Sequence, residues 1–520
     1  MFTAVYHVVM PRLVLLTVPL IVTLIMILVG ALTFALRPLL LPLRDIRRVP
    51  TIPFWVALLP LIRDVDQQDT FNRYIEEPVT KHGAAKIFFA SRWNLLVHRP
   101  SYVAEIFKRE DVYQKSGNQK KIPHSVLAAL TGDNIISSRG ETWKSYQRVI
   151  KPGLQAGADL GVLLSNARAL RDILVEAQAQ SPRGGVGIQA SIQRYTIANF
   201  AQSNFNVDFD TLKSDTAYIH RIQYRIKKEI FKPIFLNFPF LDTFGFPSRQ
   251  RARELASHFT DQLVSALERT DTCLDDGASD AKSKLPRALL SARQNGTFTE
   301  KQFRDNVTIL FVAGQENPQL AIISTLYLLA KHTSVQEDLY REFLAHDDGP
   351  ITQDGLHSMP LLSAVVLESL RLFPPIGQLI NRQVSQPVWL GGEIFVPAGT
   401  YVGYNCYSTN RDSEAWGSDS NEFRPQRWGL NCQDIQKEYR RRRSRAEFIS
   451  FHGGQRACLG ERFALLQLKA TLYVLVKSLR WKLDPTWPDR MTPIRVWPPF
   501  RPPEQTIRDL LFEWKVVSQR

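Results

Sequence analysis

A helix-rich protein behind an N-terminal membrane-spanning segment is what this 520-residue sequence predicts. Three observations carry the expectation. Apolar runs with helical spacing recur in the second half of the chain. Leu13 to Leu36, 24 residues, contains no charged side chain. The four cysteines, Cys273, Cys406, Cys432 and Cys458, show neither framework spacing nor a CxxC pair, which suits a reducing compartment.

The N-terminal run comes first. Roughly 20 apolar residues cross a bilayer core as a helix. Arg12 alone precedes the run, whereas Arg37, Arg44, Arg47 and Arg48 follow it, so the positive-inside rule puts the downstream side in the cytosol. A cleaved signal peptide has an apolar core of about 7–15 residues behind a basic start. This run is longer and its start is hardly basic. Residues 1–36 therefore read as a retained anchor in the endoplasmic reticulum membrane. Pro38, Pro42, Pro50 and Pro53 make 37–53 a stiff linker, and 54–520 is the body of the protein.

Farther along, Ile230 to Phe246 is aromatic and interrupted by Pro233 and Pro239. Two readings stand, a surface that touches the membrane and gates access, or plain core. Asp271 to Pro286 is small, polar and acidic, and reads as an exposed loop. Thr299-x-x-Gln302 reads as a capping box. The run Val307, Leu310, Phe311, Gly314 continues that helix to about His332 and contains Ala313 to Pro318, AGQENP. Next, MPLLSAVVLESLRLFPP reads as a helix ended by Pro374-Pro375, with Glu368 and Arg371 on one face at i, i+3. Phe463 to Val476 is a further helix, from the spacing of Phe463, Leu466, Ala470 and Tyr473.

The most informative stretch is Phe451 to Gly460, FHGGQRACLG. It sets Cys458 in a glycine-bounded loop at the mouth of that last helix, where backbone N–H groups point outward. A haem iron held by a cysteine thiolate needs a soft anionic ligand whose charge nearby N–H groups moderate. Arg456 could reach a haem propionate by charge-assisted hydrogen bonds.

Phe451-x-x-Gly454-x-Arg456-x-Cys458-x-Gly460 resembles the haem-binding signature of the cytochrome P450 family at every position. Glu368-Ser-Leu-Arg371 and Phe423-Arg-Pro-Gln-Arg427-Trp428 follow the family's order upstream. The resemblance spans roughly residues 50 to 515. It implies one large, mainly α domain with a small β region, where the general size rule would suggest two or three domains. It also implies a buried structural triad of Glu368, Arg371 and Arg427. At the centre of the long helix it puts Gly314 where dioxygen and haem approach, and Glu316 at the family's acid. Asn317 stands where the family has an alcohol, and Pro318 follows. Asn can donate and accept hydrogen bonds but is a poor proton relay, and Pro318 removes a backbone donor and is expected to bend or open the helix. Trp143, in Gly140-Glu-Thr-Trp143, Arg148 and Arg382 are the further propionate candidates. Arg148 comes one residue later than the family spacing, which rotates it by about 100° on a helix. AGQENP resembles a fungal branch that includes the N-formyltyrosine oxidase of yeast dityrosine synthesis.

The resemblance thus implies a fungal, membrane-bound haem-thiolate monooxygenase with haem b held by Cys458. It would oxidise a small organic substrate of secondary metabolism with dioxygen, taking NADPH electrons through NADPH-cytochrome P450 reductase. Oxidative phenol or amino-acid coupling without oxygen insertion, and a non-catalytic haem sensor or binding module, are the alternatives. Net charge is +15 and pI about 9.6, yet no nucleic-acid module is apparent. The run Tyr439-Arg-Arg-Arg-Arg443-Ser-Arg445 explains part of the charge locally. It reads either as a surface for an acidic reductase or anionic lipid or as a solvated charge run in a variable connection.

Overall fold

The computed structural model describes residues 22–27, 29–30, 41–63, 65–181, 185–271, 284–346, 349–485 and 511–516. Helices dominate, and those read from the sequence, the one after Thr299, the one ended before Pro374 and the one from Phe463 to Val476, all form. The elements that position the site are, in chain order, β1 (Ala84–Phe89), β2 (Arg92–Val97), α1 (Pro100–Lys108), β3 (Tyr113–Lys115), α2 (Gly140–Leu154), α3 (Leu160–Gln180), α4 (Gln189–Phe200), α5 (Tyr218–Ile230), α6 (Pro247–Asp271), α7 (Glu300–Lys331), α8 (Pro360–Leu372), β4 (Gln378–Val384), β5 (Tyr401–Asn405), α9 (Cys432–Ser444) and α10 (Glu461–Ser478).

The main core lies between α3, α4, α7 and α10. α10 is buried on nearly every side from Phe463 to Val476, as a helix at the centre of a large domain must be. α7 starts on the capping box: Thr299 Oγ1 accepts from Gln302 N–H at 3.2 Å, and Gln302 Oε1 accepts from Thr299 N–H at 2.9 Å. It ends at Lys331, next to the expected His332. Pro318 does not open it; the helix runs through. What the proline removes is one N–H, so the Gly314 carbonyl lacks its i→i−4 donor.

The main sheet has the order β1-β2-β5-β4-β3. Only β2 and β5 run parallel, with Leu96 opposite Gly403. β4 is irregular between Ile380 and Arg382, and it brings Arg382 directly opposite Lys115 of β3. A second sheet joins Val186–Gly187, Leu511–Val516 and Leu479–Leu483.

Most of Leu13 to Leu36 lies outside the described residues. Residues 22–27 and 29–30 are helical and exposed. Among the described residues no helix is long and apolar enough to cross a membrane. Cys273, most of the loop from Asp271 to Pro286 and the tail beyond residue 485 also lie outside; helix resumes at Lys284. The basic run is not an irregular connection. It is the second half of α9, capped by Asn431, whose side chain accepts from Asp434 N–H.

Candidate active site

Cys458 sits on a short turn between Gly454–Arg456 and α10. Its N–H donates to the Phe451 carbonyl at 2.9 Å, closing the loop, and Phe451 anchors that loop in the core. Gly454 takes φ +64°, and a Cβ there would come within 2.3 Å of the Phe107 carbonyl, so only glycine fits against the end of α1. Burial pushes the Cys458 thiol up to about 11, and the Gly460 N–H opposes that shift. By accessible surface, however, Cys458 is exposed. Both hold if the sulfur faces an interior space walled by protein. A Cβ at Gly460 would also meet no atom within 4 Å.

The other described cysteines are placed differently. Cys406 directly follows β5 inside a packed cluster, its thiol pushed up to about 12 by burial. Cys432, at the start of α9, donates to the His357 carbonyl.

Beside the cysteine loop is a knot of buried cations. Lys115 and Arg382 face each other across two strands, and both are almost fully buried. Like charges in that register repel. Arg456 approaches from the loop. Burial first, then Arg382 and Arg456, hold the Lys115 ammonium well below its ordinary pKa. One carboxylate serves the knot: Glu110 bonds Arg382 and takes Arg456 Nη1 at 3.0 Å. Two arginines against one carboxylate leave positive charge for another group, a bound anion would also favour the protonated form of Lys115, and the Arg382 Nε has no partner. The two propionates of a haem fit that deficit. Arg456 also donates to the Ile135, Ile136 and Ser138 carbonyls at 3.2, 3.1 and 2.9 Å, and its guanidinium lies 4.5 Å from the Trp143 ring centroid. Trp143 thus joins the same cluster as Arg456. Arg148 is not brought in. It is exposed on α2, its Nε turned back to the Lys144 carbonyl, as the one-residue shift dictates. Gln147 occupies the i+4 position below Trp143.

Sequence reasoning missed Lys115, Glu110 and His452. His452 has φ +58°, and its Nδ1 is 3.2 Å from the Tyr404 hydroxyl. Burial, then Lys115 and Arg382, lower it to about 3, so it is neutral. Lys115 and Glu110 meet Arg382 only through the pairing of β3 with the distant β4, whereas His452 lies within the cysteine stretch at a position the sequence reading left unassigned.

Along the middle of α7 the partly exposed positions are Ile309, Val312, Ala313, Gly314, Glu316, Asn317, Leu320, Ile323 and Ser324, a stripe at helical spacing between buried residues. Glu316 and Asn317 are on it. Glu316 is engaged from α5: Lys227 Nζ lies 3.0 Å away and Gln223 Nε2 donates at 2.9 Å. Asn317 Nδ2 reaches the Ala313 carbonyl at 3.5 Å. Gly314 differs from the expectation. A Cβ there would lie 2.1 Å from the Phe200 ring, so this glycine admits α4 rather than a gas or cofactor.

The expected triad is assembled and buried. Arg371 grips Glu368 with two bonds of 2.8 Å, and Arg427 Nε adds a third at 2.9 Å. Trp428 Nε1 and the Arg424 N–H each donate at 3.0 Å. Arg371 also ties down the Asn410 and Ser420 carbonyls. This cluster holds the segment leading to the cysteine loop, and is not itself open to a ligand.

With this geometry in place, the comparisons can be weighed. The family model described as Cytochrome P450 matches residues 49–502. The chain is 41% identical to Cytochrome P450-DIT2 of Saccharomyces cerevisiae, over 87% of this chain and 91% of that protein. It is 39% identical to Cytochrome P450 monooxygenase xanG of Aspergillus fumigatus, over 86% and 85%. The crystal structure of a cytochrome P450DA heme domain superposes with a TM-score of 0.70 at 18% identity, covering 92% of this chain and 99% of that one; at that identity it bears on the fold alone.

Proposed function

The chain belongs to the cytochrome P450 family and is a haem-thiolate monooxygenase, and on that premise we propose how its residues divide the work. The family's haem carries a cysteine thiolate ligand and supplies the dioxygen chemistry, with electrons from a redox partner. Cys458 is the ligand. Arg382, Arg456 and Lys115, with Trp143 stacked on Arg456, hold the propionates, and Phe451 and Gly454 shape the loop. Glu368, Arg371 and Arg427 brace it from behind. The observation that carries this reading is an exposed cysteine in a glycine-bounded loop whose Arg456 shares one carboxylate, Glu110, with the buried Arg382 beside Lys115.

Glu316 and Asn317 lie on the partly exposed stripe of α7 and manage protons. Asn317 keeps its side chain on the Ala313 carbonyl, so it orients rather than relays. Glu316, with ordered water, is the group through which protons pass. Its contact with Lys227 ties it to α5, so α5 must move, or a water must bridge, for the carboxylate to turn inward. A haem held there would supply the dioxygen chemistry, with O–O cleavage favoured by a thiolate ligand; the chain's own part is to hold the Glu316 carboxylate, whose Oε1 accepts from Lys227 and Gln223.

The redox partner is NADPH-cytochrome P450 reductase, and the site is the endoplasmic reticulum membrane with the catalytic domain cytosolic. The uncharged run before Arg37 supports the anchor. Phe240, Phe244 and Phe246 are about half exposed. Trp55 and Ile62 are exposed as well, in a segment that packs against Pro233–Asn237. These exposed apolar side chains suit a surface lying on lipid. The outward arginines of α9, Arg440, Arg441 and Arg445, suit an acidic partner. The resemblance of Ala313 to Pro318 to the fungal branch motivates a small organic substrate of secondary metabolism. Reconstitution with reductase, NADPH and extracts of a deletion strain tests the function: dioxygen-dependent conversion of an accumulated metabolite supports it. Haem binding without any reductase-dependent product would favour a sensor.

A further inference from the structure

Not all of the arginine run faces outward. Arg442 is taken up by Glu438 and Glu447. Arg443 turns toward α10, where Glu461 stands in the first turn, three residues after Cys458. Arg443 Nη1 donates to Glu461 Oε1 at 2.9 Å, and the Tyr439 hydroxyl donates to the same oxygen at 2.6 Å. The Arg443 guanidinium also lies 5.3 Å from the Tyr439 ring centroid. The three side chains form a closed group, and the Glu461 side chain is only 18% exposed. At the start of a helix a carboxylate is favoured by the dipole. A carboxylate one turn from a thiolate works against the negative charge there, and a cation works for it.

We propose that Arg443 and Tyr439 are positioning residues for the thiolate centre: they neutralise and fix Glu461 so that Cys458 does not face an uncompensated carboxylate. The inference rests on Cys458 as the haem ligand, and it gives the inward half of the basic run a task distinct from partner docking. The bland alternative is that the group only pins α9 to α10. Both predict that breaking it loosens the helices; only charge neutralisation predicts a signed change at the iron.

The test is the ferric–ferrous midpoint potential of the full holoprotein without substrate. Arg443→Met leaves Glu461 bare and should move the equilibrium about tenfold toward ferric, ~59 mV more negative by the one-electron conversion. Glu461→Gln leaves Arg443 bare and should move it the opposite way. The double variant should return to the parent value, and Tyr439→Phe should move it the same way as Arg443→Met, by less. Unchanged potentials in both single variants, or a double variant as displaced as Arg443→Met, would overturn the proposal. If Arg443→Met fails to bind haem, Glu461→Gln and Tyr439→Phe still give the two signs. Failure of the ligand assignment looks different: the parent protein itself would lack the thiolate-type spectrum.

Discussion

Glu368→Gln should be among the most damaging single-atom changes outside the cysteine loop. Its carboxylate accepts five bonds: Oε1 from Arg371 Nη2, Arg427 Nε and Arg424 N–H, and Oε2 from Arg371 Nε and Trp428 Nε1. A glutamine must turn its NH2 toward one of these donor sets, so at least two bonds become donor–donor contacts. Charge matters as well. Arg427 retains Asp419 as a partner at 3.3 Å. Arg371 has no other carboxylate among the described residues and is left as a buried, unpaired cation. Breaking a buried pair in this way costs about 3–5 kcal/mol. Arg427→Met should cost less, because Glu368 then keeps Arg371. The assay is equilibrium unfolding in urea, followed by tryptophan fluorescence and by release of haem. A Glu368→Gln variant losing under about 1 kcal/mol, or less than Arg427→Met, would refute the account, since exposed pairs cost that little.

Other outcomes follow from the same geometry. Glu316→Ala should slow turnover by roughly 10²–10⁴, leaving haem content intact and diverting electrons to hydrogen peroxide; unchanged rate and coupling would reduce Glu316 to a strut between α7 and α5. Asn317→Thr should not raise coupling, and a gain would mean that Asn317 is a defective alcohol. His220, on α5, is lowered from 6.5 to about 4 by burial, then by Arg194 and Lys227. Its folded pKa is below its unfolded one, so it contributes stability above about 6.5 that is lost as pH falls toward 4. His220→Gln should flatten that part of the stability–pH curve; an unchanged slope would remove His220 as its source. The full chain should stay in membranes after carbonate washing with its catalytic domain open to cytosolic protease, and a processed N-terminus would contradict the anchor.

What could be read from the sequence was local. The cysteine loop, the capping box at Thr299 and the helix around Glu368 depend on neighbours within a few residues, and the structure builds each of them. The position of Arg427 was readable only through its order along the chain. What was not legible depends on distant pairing. Lys115 looks like any strand lysine until β4 sets Arg382 opposite it. Glu110 looks like a loop acid until it bonds two arginines. Gly314 was read for what it could admit, and the ring that fills its space comes from α4. The arginine run was legible in principle, since Asn431 is a cap and Glu438 precedes Arg442 by one turn; its net charge hid the helix.

The most direct measurement is the ferrous carbon-monoxide spectrum of the purified protein and of Cys458→Ala. The account predicts the long-wavelength Soret band from which the family takes its name in the parent, and its loss in the variant, whereas Cys406→Ala keeps it. The same band surviving in Cys458→Ala would contradict the assignment on which the site rests.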